Sequence, residues 1–344
     1  MGRKAIAVIA AVLLVLCSCS KSDDNTLYLY NWTYYMPDSI VKGFEEETGI
    51  KVVIDNFSSN EEMFAKISAG GGKGYDIIFP SADYTSIMIK LGMLERIDHS
   101  KVDSLKYIPS IIEEKADYDP KMEYSVPYFM GAAGIAVNRN KVSGYERSWN
   151  IFADSSLKGR MSMLDDMREV MGDALKTIGC SVNTADDEEL ERAFRIVNEK
   201  WKPNLVKFDA ESFAKSFARE EFWVVHCYPE NVFEEVPEEK WDMIDFFIPE
   251  EGATMYIDNM VIPKGSKHYE SALRFIDYVH RPEVYALFLD EFNFPATTNT
   301  EAAKYTTTEP FFSPEDLERC ELLKDLGEDL DKYNALWQKI RYED

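Results

Sequence analysis

Residues 27–40 read LYLYNWTYYMPDSI, and where this stretch divides decides the fold. Leu27 and Leu29 alternate with Tyr28 and Tyr30, the two-residue period of a β-strand. A parallel strand covered on both faces is apolar throughout, so Tyr28 and Tyr30 are expected in the core. Pro37, Asp38 and Ser39 then open a helix with Ile40, Val41 and Phe44 on one face, ended by Gly49. Trp32 and Tyr35 stand past the strand end, where a core role is less natural. They are read as walls of a site, and Tyr34 is left open between core and wall.

The same alternation continues outward. IKVVID is a strand, and Ser59 with Glu62 forms a capping box opening the next helix. YDIIFP is a strand and DYTSIMIKLG a helix closed by Gly92. GRMSML, NLVKFD and FWVVHCY are later strands, among helices such as DMREVMGDALKTIG and EELERAFRIVNEKW. Strand and helix in alternation predict an α/β chain with mainly parallel sheets. Two such units span 26–133 and 139–254. The chain then returns through the strand MYIDNMVIP, the helix SALRFIDYVHR and a helical tail from Ser313. The expected division is a first lobe of 26–133 plus 259–300 and a second of 139–254 plus 301–344. GAAGIAVN (131–138) and MYIDNMVIP (255–263) are expected as a two-strand hinge.

Before this body lies MGRKAIAVIAAVLLVLCSCSKSDDN. Arg3 and Lys4 precede the apolar run Ala5–Leu16, short of the ~20 residues that span a bilayer and typical of an export signal. Leu16, Ser18 and Cys19 have the pattern of a bacterial lipobox. Residues 1–18 are therefore expected as signal peptide, Cys19 as the lipidated residue and 19–25 as a tether; an ordinary cleaved signal is the alternative. The 344-residue chain has 38 Lys and Arg against 62 Asp and Glu, a net charge of −24. That balance argues against nucleic acid or an anionic membrane surface as partner and suits a soluble monomer. Cys180, Cys227 and Cys320 fit no disulfide or metal spacing. His99, His226, His268 and His280 form no metal motif. No phosphate loop or nucleophile elbow occurs. No cofactor and no metal is expected.

In open α/β sheets ligands bind beyond the carboxyl ends of the strands. That rule selects Asn31 and Trp32, Ser81, Asp165 and Asp166, and Tyr228. Asp166 and Glu169 lie one helical turn apart and can point the same way, although an acidic first turn also suits the helix dipole. Asp258, alone in an apolar strand, is read as a site residue, with a hinge hydrogen bond as the alternative.

Together LYLYNWTYYMP, YDIIFPSADY, YSVPYFMGAAGIAVN, LDDMREV and MYIDNMVIP resemble, in collinear order, the bacterial spermidine/putrescine-binding family, the extracytoplasmic receptors of polyamine ABC importers. The resemblance implies the two-lobed periplasmic-binding-protein fold of type II, with aromatic rings flanking the polyamine's methylenes and carboxylates at its ammonium groups. Carried over by position, the aromatic residues fall on Trp32, Tyr35, Tyr256, Tyr228 and Phe294. The acidic ones fall on Asp166, Glu169 and Asp258, and Ser81 matches a polar contact. Thr33 lies between the matched aromatics. Asp83 stands where an aromatic residue is expected, Tyr34 where the family often has a polar group and Leu323 where it has a Gln. These departures bear on which polyamine is taken.

The expected function is a lipoprotein receptor in the cell envelope, held to the membrane only by Cys19, that passes putrescine or spermidine to an ABC permease and is not an enzyme. Two other readings are a secreted glycoside hydrolase using paired carboxylates and a ferric-ion receptor of the same fold. The latter needs tyrosines with a His or Glu partner, and only Tyr34 and Tyr35 are adjacent.

Overall fold

The structure is a computed structural model that describes residues 25–33 and 35–342. The expected signal peptide, Cys19 and Tyr34 lie outside the described residues. From the N-terminal side the chain runs β1 (Thr26–Trp32), α1 (Asp38–Thr48), β2 (Lys51–Phe57), α2 (Asn60–Gly70), β3 (Ile77–Ile78), α3 (Ala82–Lys90), β4 (Ser125–Ala132) and β5 (Gly134–Asn138). It continues through β6 (Met161–Met163), α4 (Met167–Thr177), α5 (Asp187–Arg195), β7 (Leu205–Phe208), β8 (Val224–Cys227), α6 (Pro229–Glu235) and β9 (Ile244–Phe247). Last come β10 (Thr254–Val261), α7 (Tyr269–Val279), α8 (Pro282–Phe292), β11 (Glu321–Leu322) and α9 (Leu330–Tyr342).

Two sheets result. The first has the order β11-β10-β3-β1-β2, with β4 also on β10; the second runs β7-β6-β8-β5-β9. β1 pairs in parallel with β2 and β3, and β6 in parallel with β7 and β8. The strands nearest the junction are antiparallel: β10 to β4 and β3, and β5 to β8 and β9. Tyr30 is fully buried, stacked on Tyr75 at 4.5 Å, whereas Tyr28 is only half-buried. At the start of α2, Ser59 Oγ accepts from Glu62 N at 3.2 Å. The Glu62 carboxylate turns to Ser58 instead, so half of the expected capping box forms.

The sheets are connected three times. The first crossing is at Ala133, between β4 in one sheet and β5 in the other. Its glycines make room: a Cβ on Gly131 would stand 2.7 Å from Tyr256 Oη, and one on Gly134 2.5 Å from Phe247 O. The second crossing is residues 248–253. The expected hinge strand 255–263 lies almost wholly in β10, paired with β4 inside the first sheet; its apolar alternation earns it a ladder partner rather than a place between lobes. The third crossing is the C-terminal segment. Asp290 of α8 accepts hydrogen bonds from Thr307 and Thr308, so the chain is still on the first lobe past residue 301. Phe311 then stacks on Phe233, β11 pairs with β10, and α9 docks on the second lobe, where Tyr333 Oη donates to the Val182 and Thr184 carbonyls. The link between β11 and α9 is held from both sides. Lys324 pairs with Asp117 and Asp325 with Lys90, while Lys324 O accepts from Arg168 Nη1.

Candidate functional site

The carboxyl ends of the strands from both sheets converge on one cleft. On the first lobe β1 delivers Trp32, which packs against Phe57 at 4.5 Å with its indole Nε1 buried and unpartnered. Thr33 is exposed, its Oγ1 donating to Phe57 O. Neither is joined to the carboxylates below by a described contact. Tyr35 sits deeper. Its ring packs edge-on to Tyr128 at 5.4 Å and to Phe288 at 5.6 Å, and its hydroxyl lies near Asp258 without a hydrogen bond of full geometry. Phe294, expected as a wall, is 3 % exposed and stacked on Phe129 at 4.1 Å. It packs in the aromatic cluster around Tyr35 and Phe288.

Ser81 caps α3 at the end of β3. Asn60 Nδ2 donates to Ser81 Oγ, which donates on to Asp83 Oδ1 at 2.8 Å. Ser81 also bridges to Asp258 through the backbone. Asp258 is buried in β10 beside a bulge between it and Asn259. Loss of solvation, with Asp83 and Glu230 nearby, pushes its carboxyl up to about 8 against the pull of the Tyr35 hydroxyl. In β10 the side chains of Tyr256 and Asp258 share a face. Tyr256 meets Tyr228 of the second lobe edge-on, ring centroids 5.7 Å apart.

The second lobe presents Asp166 as the N-cap of α4, its Oδ1 accepting from Arg168 N at 2.8 Å and Glu169 N at 3.1 Å. Water reaches Asp166, yet protein atoms of both lobes crowd it. Loss of solvation raises its pKa, with Glu61 across the cleft adding to the rise. Glu169 is buried. It accepts from Tyr228 Oη at 3.2 Å and from Thr254 Oγ1, and burial followed by Asp166 moves its carboxyl up to about 7. Gly172 permits this packing, since a Cβ there would stand 2.4 Å from Thr254 Cγ2. Arg168 does not pair with the acids beside it. It donates to Asn183 Oδ1 at 2.9 Å and covers the Tyr333 ring.

Sequence reasoning missed Glu230. At the start of α6 it reads as an acidic first turn after Pro229, a common helix opening. In the structure its Oε2 is buried without a partner, and its charge is felt by Asp258, Tyr256 and Tyr35. Burial carries it to about 7. It also missed that His226 and Asp173 lie beside Glu169. The strand VVHC and helix REVMGDA give no spacing that brings them together. Cys180, Cys227 and Cys320 are unpaired, and Cys227 and Cys320 are buried. Two solvent-open hollows, one lined by Leu94, Tyr124 and Tyr269 and one by Tyr145, Arg147 and Glu250, share no residue with the cleft.

Carboxylates from two lobes around facing tyrosines, at strand ends bridged by short crossings, define a two-lobed solute receptor. The sequence model described as bacterial extracellular solute-binding protein matches residues 39–313, and the chain belongs to that family. It is 32% identical over 338 residues to the spermidine/putrescine-binding periplasmic protein of Escherichia coli (strain K12), covering 96% of each chain. To the putrescine/cadaverine-binding protein of Pseudomonas aeruginosa it is 32% identical over 74% of each. Among solved structures, the Tp0655 (TpPotD) lipoprotein of Treponema pallidum superposes with a TM-score of 0.90 at 48% identity, over 92% of this chain and all of that one.

Proposed function

We propose that the protein is an extracytoplasmic receptor that takes a polyamine, putrescine or spermidine, between its lobes and hands it to an ABC importer. The observation that carries this reading is the set of carboxylates Asp258, Glu230, Asp166 and Glu169, drawn from both lobes around Tyr228 and Tyr256. Asp258 and Glu169 are buried, Glu230 has a buried oxygen and Asp166 stands at the open edge; among the described residues Arg168 brings a cationic side chain near, at the Asp166 end. Two or more separated ammonium groups would replace that missing positive charge. A cation over a tyrosine face gains about 0.5–2 kcal/mol, and each buried methylene about 0.8 kcal/mol. Trp32 and Tyr35 extend the wall, and Ser81 with Asp83 lies at the rim.

In this reading the first lobe ends at Ala133 and resumes with β10, the crossings are the hinge, and Cys19 is the membrane anchor. The protein binds and releases its ligand unchanged. Neither the hydrolase nor the ferric-ion reading gains support from the site or from the relatives, which are named for polyamines. The test is calorimetry with putrescine, cadaverine, spermidine, spermine, a disaccharide and ferric citrate. Saturable binding of an amine is expected, and no amine binding would overturn the reading.

A further inference from the structure

Behind the cleft, Glu169 adjoins two groups for which the proposed ammonium site has no use. Asp173 lies one turn further along α4, and His226 lies within β8. Both are at most 1 % exposed and Glu169 is 3 % exposed. One ligand-capable atom from each falls within 4.8 Å of the others. His226 Nε2 stands 3.4 Å from Asp173 Oδ2 and 3.9 Å from Glu169 Oε2. These are not hydrogen bonds: both His226 nitrogens and Asp173 Oδ2 are buried without a partner. Native cores pair their buried polar atoms. Here His226 Nε2 and Asp173 Oδ2 stand unpaired side by side, and one bound ion would satisfy both.

We propose that Glu169, Asp173 and His226 form a binding site for one divalent transition-metal ion of the zinc class. Donors about 2.1 Å from a tetrahedral centre stand about 3.4 Å apart, the separation of the His226 and Asp173 atoms; Glu169, 3.9 Å from His226 and within 4.8 Å of both, would have to draw inward to complete the set. One imidazole and two carboxylates make a mixed donor set that suits zinc. Calcium and magnesium take six or more ligands, nearly all oxygen. The two carboxylates are oriented from outside, as metal ligands generally are. Thr254 Oγ1 and Tyr228 Oη donate to Glu169, Thr254 N donates to Asp173 Oδ1 at 3.5 Å, and the Trp149 ring stands edge-on to His226 at 5.0 Å. An ion here engages the carboxylate that the ammonium uses in the proposed function. On that reading each ligand weakens the other by the same factor.

Protein stripped with a chelator would be titrated with Zn2+ by calorimetry, and with Co2+ by visible absorption. One equivalent of Zn2+ and the ligand-field band of tetrahedral Co2+ are expected. His226→Met and the near-isosteric Asp173→Asn, each checked for folding by circular dichroism, should weaken Zn2+ at least about tenfold and lose the band. No Zn2+ binding by the parent protein would overturn the site. Equal binding by parent and both folded variants would overturn it too, placing the metal elsewhere. Putrescine binding, measured separately on the same preparation, shows whether the receptor reading holds. If putrescine binds and Zn2+ affinity does not fall, the sharing of Glu169 is overturned.

Discussion

Asp258 has its charge withheld until something arrives to balance it. Its carboxyl titrates near 8, so the free protein at neutral pH carries it largely protonated. In the proposed site an ammonium requires it ionised, and binding would then release a proton. Affinity for putrescine should therefore weaken as pH falls from 8 to 6, by about tenfold per unit for each proton that must leave. Calorimetry in buffers of differing ionisation enthalpy checks this by counting protons released. Asp258→Asn should cost about 2–5 kcal/mol of binding at pH 8 and much less at pH 6, where the parent residue is already neutral. Affinity unchanged at pH 8 would remove Asp258 from the site. Asp258 was legible in the sequence because a lone acid in an apolar strand is conspicuous. Glu230 was not, since an acid after a helix-opening proline has an ordinary explanation. Phe294 stands among several aromatic residues that crowd one region, and pattern alone does not rank them by depth.

At the scale of elements, small residues rather than acids set the geometry. Gly172 lets α4 lie against Thr254, and that contact seats Glu169. Gly172→Val should push the helix outward and destabilise the fold by about 1–3 kcal/mol through overpacking, read as a lower urea midpoint, with weaker amine binding alongside. Gly131→Ala meets Tyr256 and Phe129 at under 3 Å and should cost both binding and stability, because the cleft ring Tyr256 and the core ring Phe129 must both give way. The strands were readable from their period. The first crossing, at Ala133, falls inside the expected stretch 131–138; the other two were not readable, because a segment between lobes has no partner strand to impose a pattern. Residues 255–263 suggested a hinge by position in the chain, whereas their hydrophobicity reflects pairing with β4.

For the whole molecule, the raised carboxyls tie stability to pH in an unusual direction. Asp258 near 8 and Glu230 near 7 bind protons more tightly folded than unfolded. Their contribution is full below the unfolded values, about 4, and is lost as pH rises through 7 and 8. The ligand-free melting temperature should fall between pH 5 and 8, and saturating putrescine should recover most of the loss; scanning calorimetry at several pH values tests both. A dication joining Asp258 to Asp166 and Glu169 favours the lobes together and does little for them apart. Small-angle scattering should then show a smaller radius of gyration with spermidine than without. Binding with no change of radius would remove closure while leaving the receptor.

The C-terminal strap changes what such closure can be. Two neighbouring cords between two bodies leave them free to swing and also to twist. A third, anchored by β11 on one side and α9 on the other and clasped by Lys90, Asp117 and Arg168, resists the twist. The motion left resembles a door on its frame, described by a single angle. A longer or shorter amine would set that angle differently, and a permease touching both lobes could tell cargo from empty jaws by one measurement of shape.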